Sequence, residues 1–223
     1  IYAPNDLIIN NSITLGVRTG KIGASSSSFG AVCVASGSCA HAEGDTTTAS
    51  GESSHAEGTS TVASSNYSHA EGSSTRATGE GSHAEGQNTQ ASGLHSHAEG
   101  ENSIASGLVS HAEGWNTEAK GKCSHAEGNG TTASGEYQHV QGKYNIEDTN
   151  NKYAHIVGNG DYNTCSNAHT LDWKGNGWFA GKLSQDGTPT EDKDLTTKKY
   201  VDDNADQLKT KVNNLENDLY NSD

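Results

Sequence analysis

Residues 82–100 read Ser-His-Ala-Glu-Gly-Gln-Asn-Thr-Gln-Ala-Ser-Gly-Leu-His-Ser-His-Ala-Glu-Gly. The pentapeptide at 82–86 returns 14 residues later at 96–100, and the beat extends in both directions. His41, His55, His69, His83, His97, His111 and His125 each open a His-Ala-Glu-Gly tetrapeptide, and His139 opens the variant His-Val-Gln-Gly. One glycine ladder runs from Gly16 to Gly142 at the same interval. A second, offset by seven residues, runs from Gly23 to Gly135 with Ser65 as its exception. Two residues are inserted after Gly142, and the phase resumes at His155 and again at His169. A period of this length marks stacked supersecondary units, none of which buries its own apolar face alone.

Composition supports the same reading by elimination. Leu, Ile, Val and Phe make up 29 of 223 residues and the net charge is −14, a balance that normally signals disorder. Such a chain cannot fill an ordinary core, but many identical rungs can share a thin one. The acidic surplus leaves no basic patch for nucleic acid or anionic membrane, and no apolar run is long enough to span a bilayer. The chain opens on Ile1 and contains no Met, as a processed product or excised fragment would.

Each rung divides into two short strands, each followed by a glycine turn where positive φ costs little. Thr47 and Ala49 share one strand face and recur as Thr61/Ala63 and Thr89/Ala91, so these small columns point inward with Ala42, Ala56 and Ala70. Thr48, Val62, Arg76, Gln90, Ile104, Glu118 and Thr132 vary freely between them and point outward. This places the fold in the mainly β class, as a parallel β-roll of about twelve rungs, roughly 55–60 Å long at the strand spacing. His and Glu of every rung fall together on the face opposite the inner alanines.

The alternation of Ser-His-Ala-Glu-Gly with Thr-x-Ala-Ser-Gly resembles the head repeats of trimeric autotransporter adhesins, and also repeats in tail-fibre proteins of phages and prophages. The resemblance covers residues 11–172. It implies a left-handed roll, assembled as a homotrimer. The adhesin repeat carries aliphatic residues where this chain has His and Glu, and Ile13, Leu15, Val157 and Leu171 revert to that pattern at the ends. The subunit-facing column is therefore expected to be His41, Glu43, His55, Glu57, His69, Glu71, His83, Glu85, His97, Glu99, His111, Glu113, His125, Glu127, His139 and Gln141. Interchain His–Glu pairing would raise the His pKa values and lower those of Glu. Alternatives are a transition metal held by symmetry-related imidazoles on the threefold axis, and a plain solvated face.

The domain reading is a roll at 1–172, an aromatic neck and acidic linker at 173–194, and a coiled-coil stalk at 195–223. Trp173, Trp178 and Phe179 are expected to plug the roll. Val201, Ala205, Leu208, Val212, Leu215 and Leu219 are spaced 4, 3, 4, 3, 4, the seam of a coiled coil. Residues 194–202 resemble the entry to coiled coils of phage tail fibres.

Catalytic readings are weak. His-x-Glu occurs in zinc deaminases, but the partner Pro-Cys-x-x-Cys is absent, so no enzyme is expected. Cys33 reads as inner filler, and Cys39, Cys123 and Cys165 form no disulfide or zinc framework. An ice-binding surface would need an outward Thr array, whereas the repeated Thr points inward. The expectation is a structural and adhesive fibre, in a phage tail or on a bacterial surface, whose partners are its own copies and a cell-surface glycan or protein.

Overall fold

The computed structural model describes residues 13–18, 23–182 and 198–220. They fall into two units, divided between Ala180 and Gly181. The linker at 183–194, the helix entry at 195–197 and the first residues at 1–12 lie outside the described set.

The first unit is a parallel β-solenoid of about 10 turns. Strands of the form His41–Asp45, His55–Thr59 and His69–Ser73 make one sheet, and two-residue strands such as Thr48–Ala49 and Val62–Ala63 make the other. Pairing is in register at the repeat: His41 lies beside His55, Ala42 beside Ala56 and Glu43 beside Glu57. Between the sheets sit columns of fully buried alanine, among them Ala42, Ala56, Ala49 and Ala63, with Thr47, Thr61 and Ser54 beside them. The inward reading of these columns holds, and Cys33 is buried among them. Because the Thr column is interior, it offers no ice-binding array.

The two glycine ladders do different work. Gly44 and its equivalents adopt positive φ, 112° at Gly44 itself. Gly37 and Gly51 do not. They are glycine because a Cβ there would overlap the carbonyl of the next rung, at Gly51 and Ser65 respectively. The expectation of positive φ at both ladders is thus corrected. In the turns, the left-handed conformation belongs instead to non-glycine residues two places further on, such as Thr46 at 59° and Ser53 at 52°. Their N–H groups donate to the turn of the preceding rung, Thr46 to Ala31 at 2.8 Å and Ser53 to Ser38 at 2.7 Å. These bonds between rungs offset the steric cost of a side chain in that region.

The C-terminal end departs from the expected ladder. The strand Tyr153–Asn159 still pairs parallel with His139–Lys143. The next strand, Asn167–Asp172, pairs with it antiparallel, His155 opposite Leu171, and Gly177–Phe179 returns antiparallel again. His169 is therefore not a further rung, and the expected dozen shortens to about ten. The interior grows at the same place, with Ala126 giving way in register to Val140 and then to Ile156, both fully buried. Half-exposed Trp173, Trp178 and Phe179 lie in and before the last strand, so closure here is made by backbone and by these larger inner residues.

The inserted loop closes the other sheet. Among the described residues no strand follows Thr132–Ala133 in that sheet. The Asn145 carboxamide stands in for one: its Oδ1 accepts from the Thr132 N–H at 2.8 Å and its Nδ2 donates to the Thr132 carbonyl at 3.0 Å. Gln138 replaces the inner serine of its rung, accepts from the Ser134 and Gly135 N–H groups, and donates to Asp148 and to the Tyr153 carbonyl. A solenoid edge left open would strand these backbone groups away from water.

The second unit contains one helix, Lys198–Tyr220. Asn145→Ala should destabilise the first unit by about 1–3 kcal/mol, the cost of orphaning a buried donor and acceptor. Thermal melting of Asn145→Ala against the parent chain checks this, and a change within experimental scatter would remove the capping role.

Candidate functional site

In-register parallel pairing places each His directly over the His 14 residues earlier, one strand spacing away. From His55 to His139 successive imidazole centroids are 4.7–4.9 Å apart with planes within 12° of parallel. Below this run His41 stands crossed to His55 at 70°, and Phe29 lies 5.6 Å beyond His41. Above it the rings continue through His155 and His169 to Phe179, which lies 4.5 Å from His169. The ladder is thus ended by a phenyl ring at both ends, a feature the repeat letters alone did not disclose.

The glutamates form a parallel ladder beside the rings. His97 Nε2 lies 3.3 Å from the Glu85 carboxylate of the rung before, and the same offset joins His111 to Glu99 at 3.4 Å, His125 to Glu113 at 3.3 Å and His139 to Glu127 at 3.4 Å. Lower in the stack His69 reaches Glu57 at 3.6 Å and its own rung's Glu71 at 3.9 Å. At the first rung of the column His41 Nε2 meets Glu43 at 3.3 Å. At the top, Gln141 takes the carboxylate's place and its amide lies 3.2 Å from His155 Nε2. All of these contacts run along one chain, and the rings remain about one-third exposed, 33% at His97.

Stacking like on like decides the electrostatics. Burial, reinforced by flanking imidazoles, pushes the pKa of His55, His83 and His111 down, and that of His155 likewise. Within one chain these histidines thus move opposite to the rise that pairing between chains would give. Neighbouring carboxylates cannot all ionise at one strand spacing. Glu57 is pushed up to about 7, chiefly by sharing a proton with Glu71. Glu99 is pushed up to about 7 by burial and by Glu113 and Glu85. Between them other carboxyls are lowered. Glu43 is lowered first by His41, Glu85 by its bond to Glu71, and Glu113 by its bond to Glu99. Protonated and ionised carboxyls therefore alternate along part of the column.

The remaining expected residues are placed as follows. Val201, Leu208, Val212, Leu215 and Leu219 are exposed along the helix, with Ala205 also exposed. Trp173 donates from Nε1 to the Asn151 carbonyl at 3.0 Å, and Trp178 lies opposite Thr170 in the closing hairpin. All four cysteines are free, with Cys39, Cys123 and Cys165 exposed. Gln138, Asn145 and Phe29 escaped sequence reading, although the phase break after Gly142 and the loss of serine at 138 mark the first two. Among the described residues no helix is long and apolar enough to cross a membrane. No protein-family model matches the chain, and no curated protein matches it.

The raised carboxyls carry a defined pH signature. A folded-state pKa near 7 against 4.5 unfolded means that Glu57 and Glu99 stabilise the fold below pH 4.5. That contribution is lost as pH rises towards 7. Gln mimics the protonated form at every pH. Glu57→Gln/Glu99→Gln should therefore gain melting temperature over the parent progressively between pH 4.5 and 7, levelling above, with chelator present. An offset that does not change with pH would show that the two carboxyls ionise normally.

Proposed function

We propose that the chain is one strand of a homotrimeric extracellular fibre, a segment of a bacteriophage tail fibre that spaces or presents an adhesive surface to a bacterial cell. It acts mechanically and by binding, without catalysis. The observation that carries this reading is the apolar seam of the helix. Val201, Leu208, Val212, Leu215 and Leu219 are 49–73% exposed and follow a heptad spacing over 23 residues. Most helical stability in proteins comes from packing an apolar face, and the spacing suits knobs-into-holes packing against further copies.

The solenoid is consistent with the same assembly. Its His/Glu face is only half-buried in one chain, which leaves it able to meet neighbouring subunits. Its turn residues point away from the core and vary from rung to rung. Tyr67, His95, Val109, Cys123 and Tyr137 share one left-handed turn column, and Tyr67, Val109 and Tyr137 are 50–59% exposed. Aromatic and apolar side chains displayed at rung intervals on a rigid rod suit contact with a cell-surface glycan or protein.

Sedimentation equilibrium on the full chain should return about 70 kDa, three times the 23.2 kDa protomer. Leu208→Asp/Leu215→Asp puts two charges into the seam. It should shift the mass towards the protomer while the β-rich circular dichroism spectrum persists. A parent chain that sediments as a stable monomer would overturn the proposal.

A further inference from the structure

The Nε2 atoms of the histidine ladder present an unsolved accounting problem. Those of His55, His69, His83, His111, His125 and His139 are shielded from solvent and have no hydrogen-bond partner. Carboxylate oxygens stand near them, at 3.3–4.0 Å. These contacts are too long or too far off axis for a hydrogen bond. Buried polar atoms are normally satisfied, so something other than the facing carboxylate is suited to these nitrogens.

We propose that the His/Glu column is a binding site for divalent first-row transition ions of the zinc class, held by donor trios from adjacent rungs of one chain. Five trios, four of them overlapping in pairs, have one donor atom per residue within 4.8 Å of each other. They include His41/Glu43/His55, His83/Glu85/His97 and Glu113/His125/Glu127. Zinc bonds of about 2.0–2.2 Å to nitrogen and oxygen set a tetrahedron edge of roughly 3.4 Å. The N···O separations of 3.3 Å at His97–Glu85 and His125–Glu113 match that edge. Where a trio uses two imidazoles, their tips must converge from the strand spacing. The crossed His41 and His55 rings, at 70°, show that the column admits such a tilt. Burial favours neutral imidazole at His55, His83 and His111, which is the form that ligates. Every trio contains at least one imidazole, a ligand that suits zinc, nickel or copper rather than magnesium and calcium, which take oxygen ligands. Three protein donors leave a fourth position open to water or another ligand.

The site draws on one chain, so it does not depend on the trimer. Because neighbouring trios share His55 or Glu113, at most three can fill without sharing a donor.

The test uses the full chain without a histidine tag, stripped by chelator and titrated with zinc at pH 7.5. Bound metal is counted by mass spectrometry after gel filtration. About three zinc ions per chain should be retained, and no magnesium. Cobalt in place of zinc should give the visible bands of tetrahedral coordination. Glu85→Gln and His83→Ser/His97→Ser should each retain one ion fewer. Gln141 and Ser27 occupy the equivalent positions natively, so both variants should keep the parent circular dichroism spectrum. Zinc lost on gel filtration, or a count unchanged in folded variants, would overturn the proposal. The Leu208→Asp/Leu215→Asp chain should still retain three ions, which separates this result from the fate of the trimer reading.

Discussion

A side-chain carbon at Gly37 or Gly51 would overlap the carbonyl of the rung above. That close approach of backbone to backbone is the constraint on which the rest of the molecule depends. It holds successive turns at the strand spacing, and between the sheets of the regular rungs the buried side chains are Ala, Ser, Thr and Cys, with Gln138, Val140 and Ile156 only at the closing end. It also disfavours slippage, because glycine faces the carbonyl at every level of this ladder except Ser65. A chain with so few large apolar residues can fold because each rung needs only a narrow interior, repeated. Backbone hydrogen bonds between rungs, in the strands and in the left-handed turns alike, then carry much of the order that bulky side chains supply elsewhere.

Fixed register has an electrostatic consequence. Whatever residue occupies a column is set against its own kind at about the strand spacing, where charges of one sign repel. A column of ionised glutamates would work against the stack. Alternating protonation relieves it, and neutral imidazoles can lie face to face without charge. The column thus stays polar while carrying less charge than its letters suggest, because Glu57 and Glu99 hold their protons up to about 7 and burial favours neutral imidazole at His55, His83 and His111. Phe29 and Phe179 end the ring ladder with groups that carry no charge at all.

Much of this was legible in the letters. The 14-residue period gives the rungs, and strand alternation assigns Ala42, Thr47 and Ala49 inward and Thr48 outward without any coordinates. Other features depended on three-dimensional neighbours. The reversal at Asn167–Asp172 was hidden because His169 and Leu171 alternate in the same way whether a strand runs up or down. The Asn145 cap was hidden because one carboxamide imitates a whole strand edge, which no periodicity records. The lowered histidines follow first from burial and then from the rings above and below, whereas a rung-by-rung reading sets each His only against its Glu. The two glycine ladders looked alike in sequence because two separate demands, dihedral freedom and sheer proximity, select the same residue.

The closing devices sit wholly outside the repeating part. Asn145, Gln138, Val140 and Ile156 act in the last turns, while the rungs from His55 to His125 repeat one in-register pairing. A gene that loses or duplicates one such unit would yield a shorter or longer rod with its ends intact and its columns unbroken. Length in this architecture is therefore a heritable quantity that changes in whole steps, independently of what the ends have been selected to do.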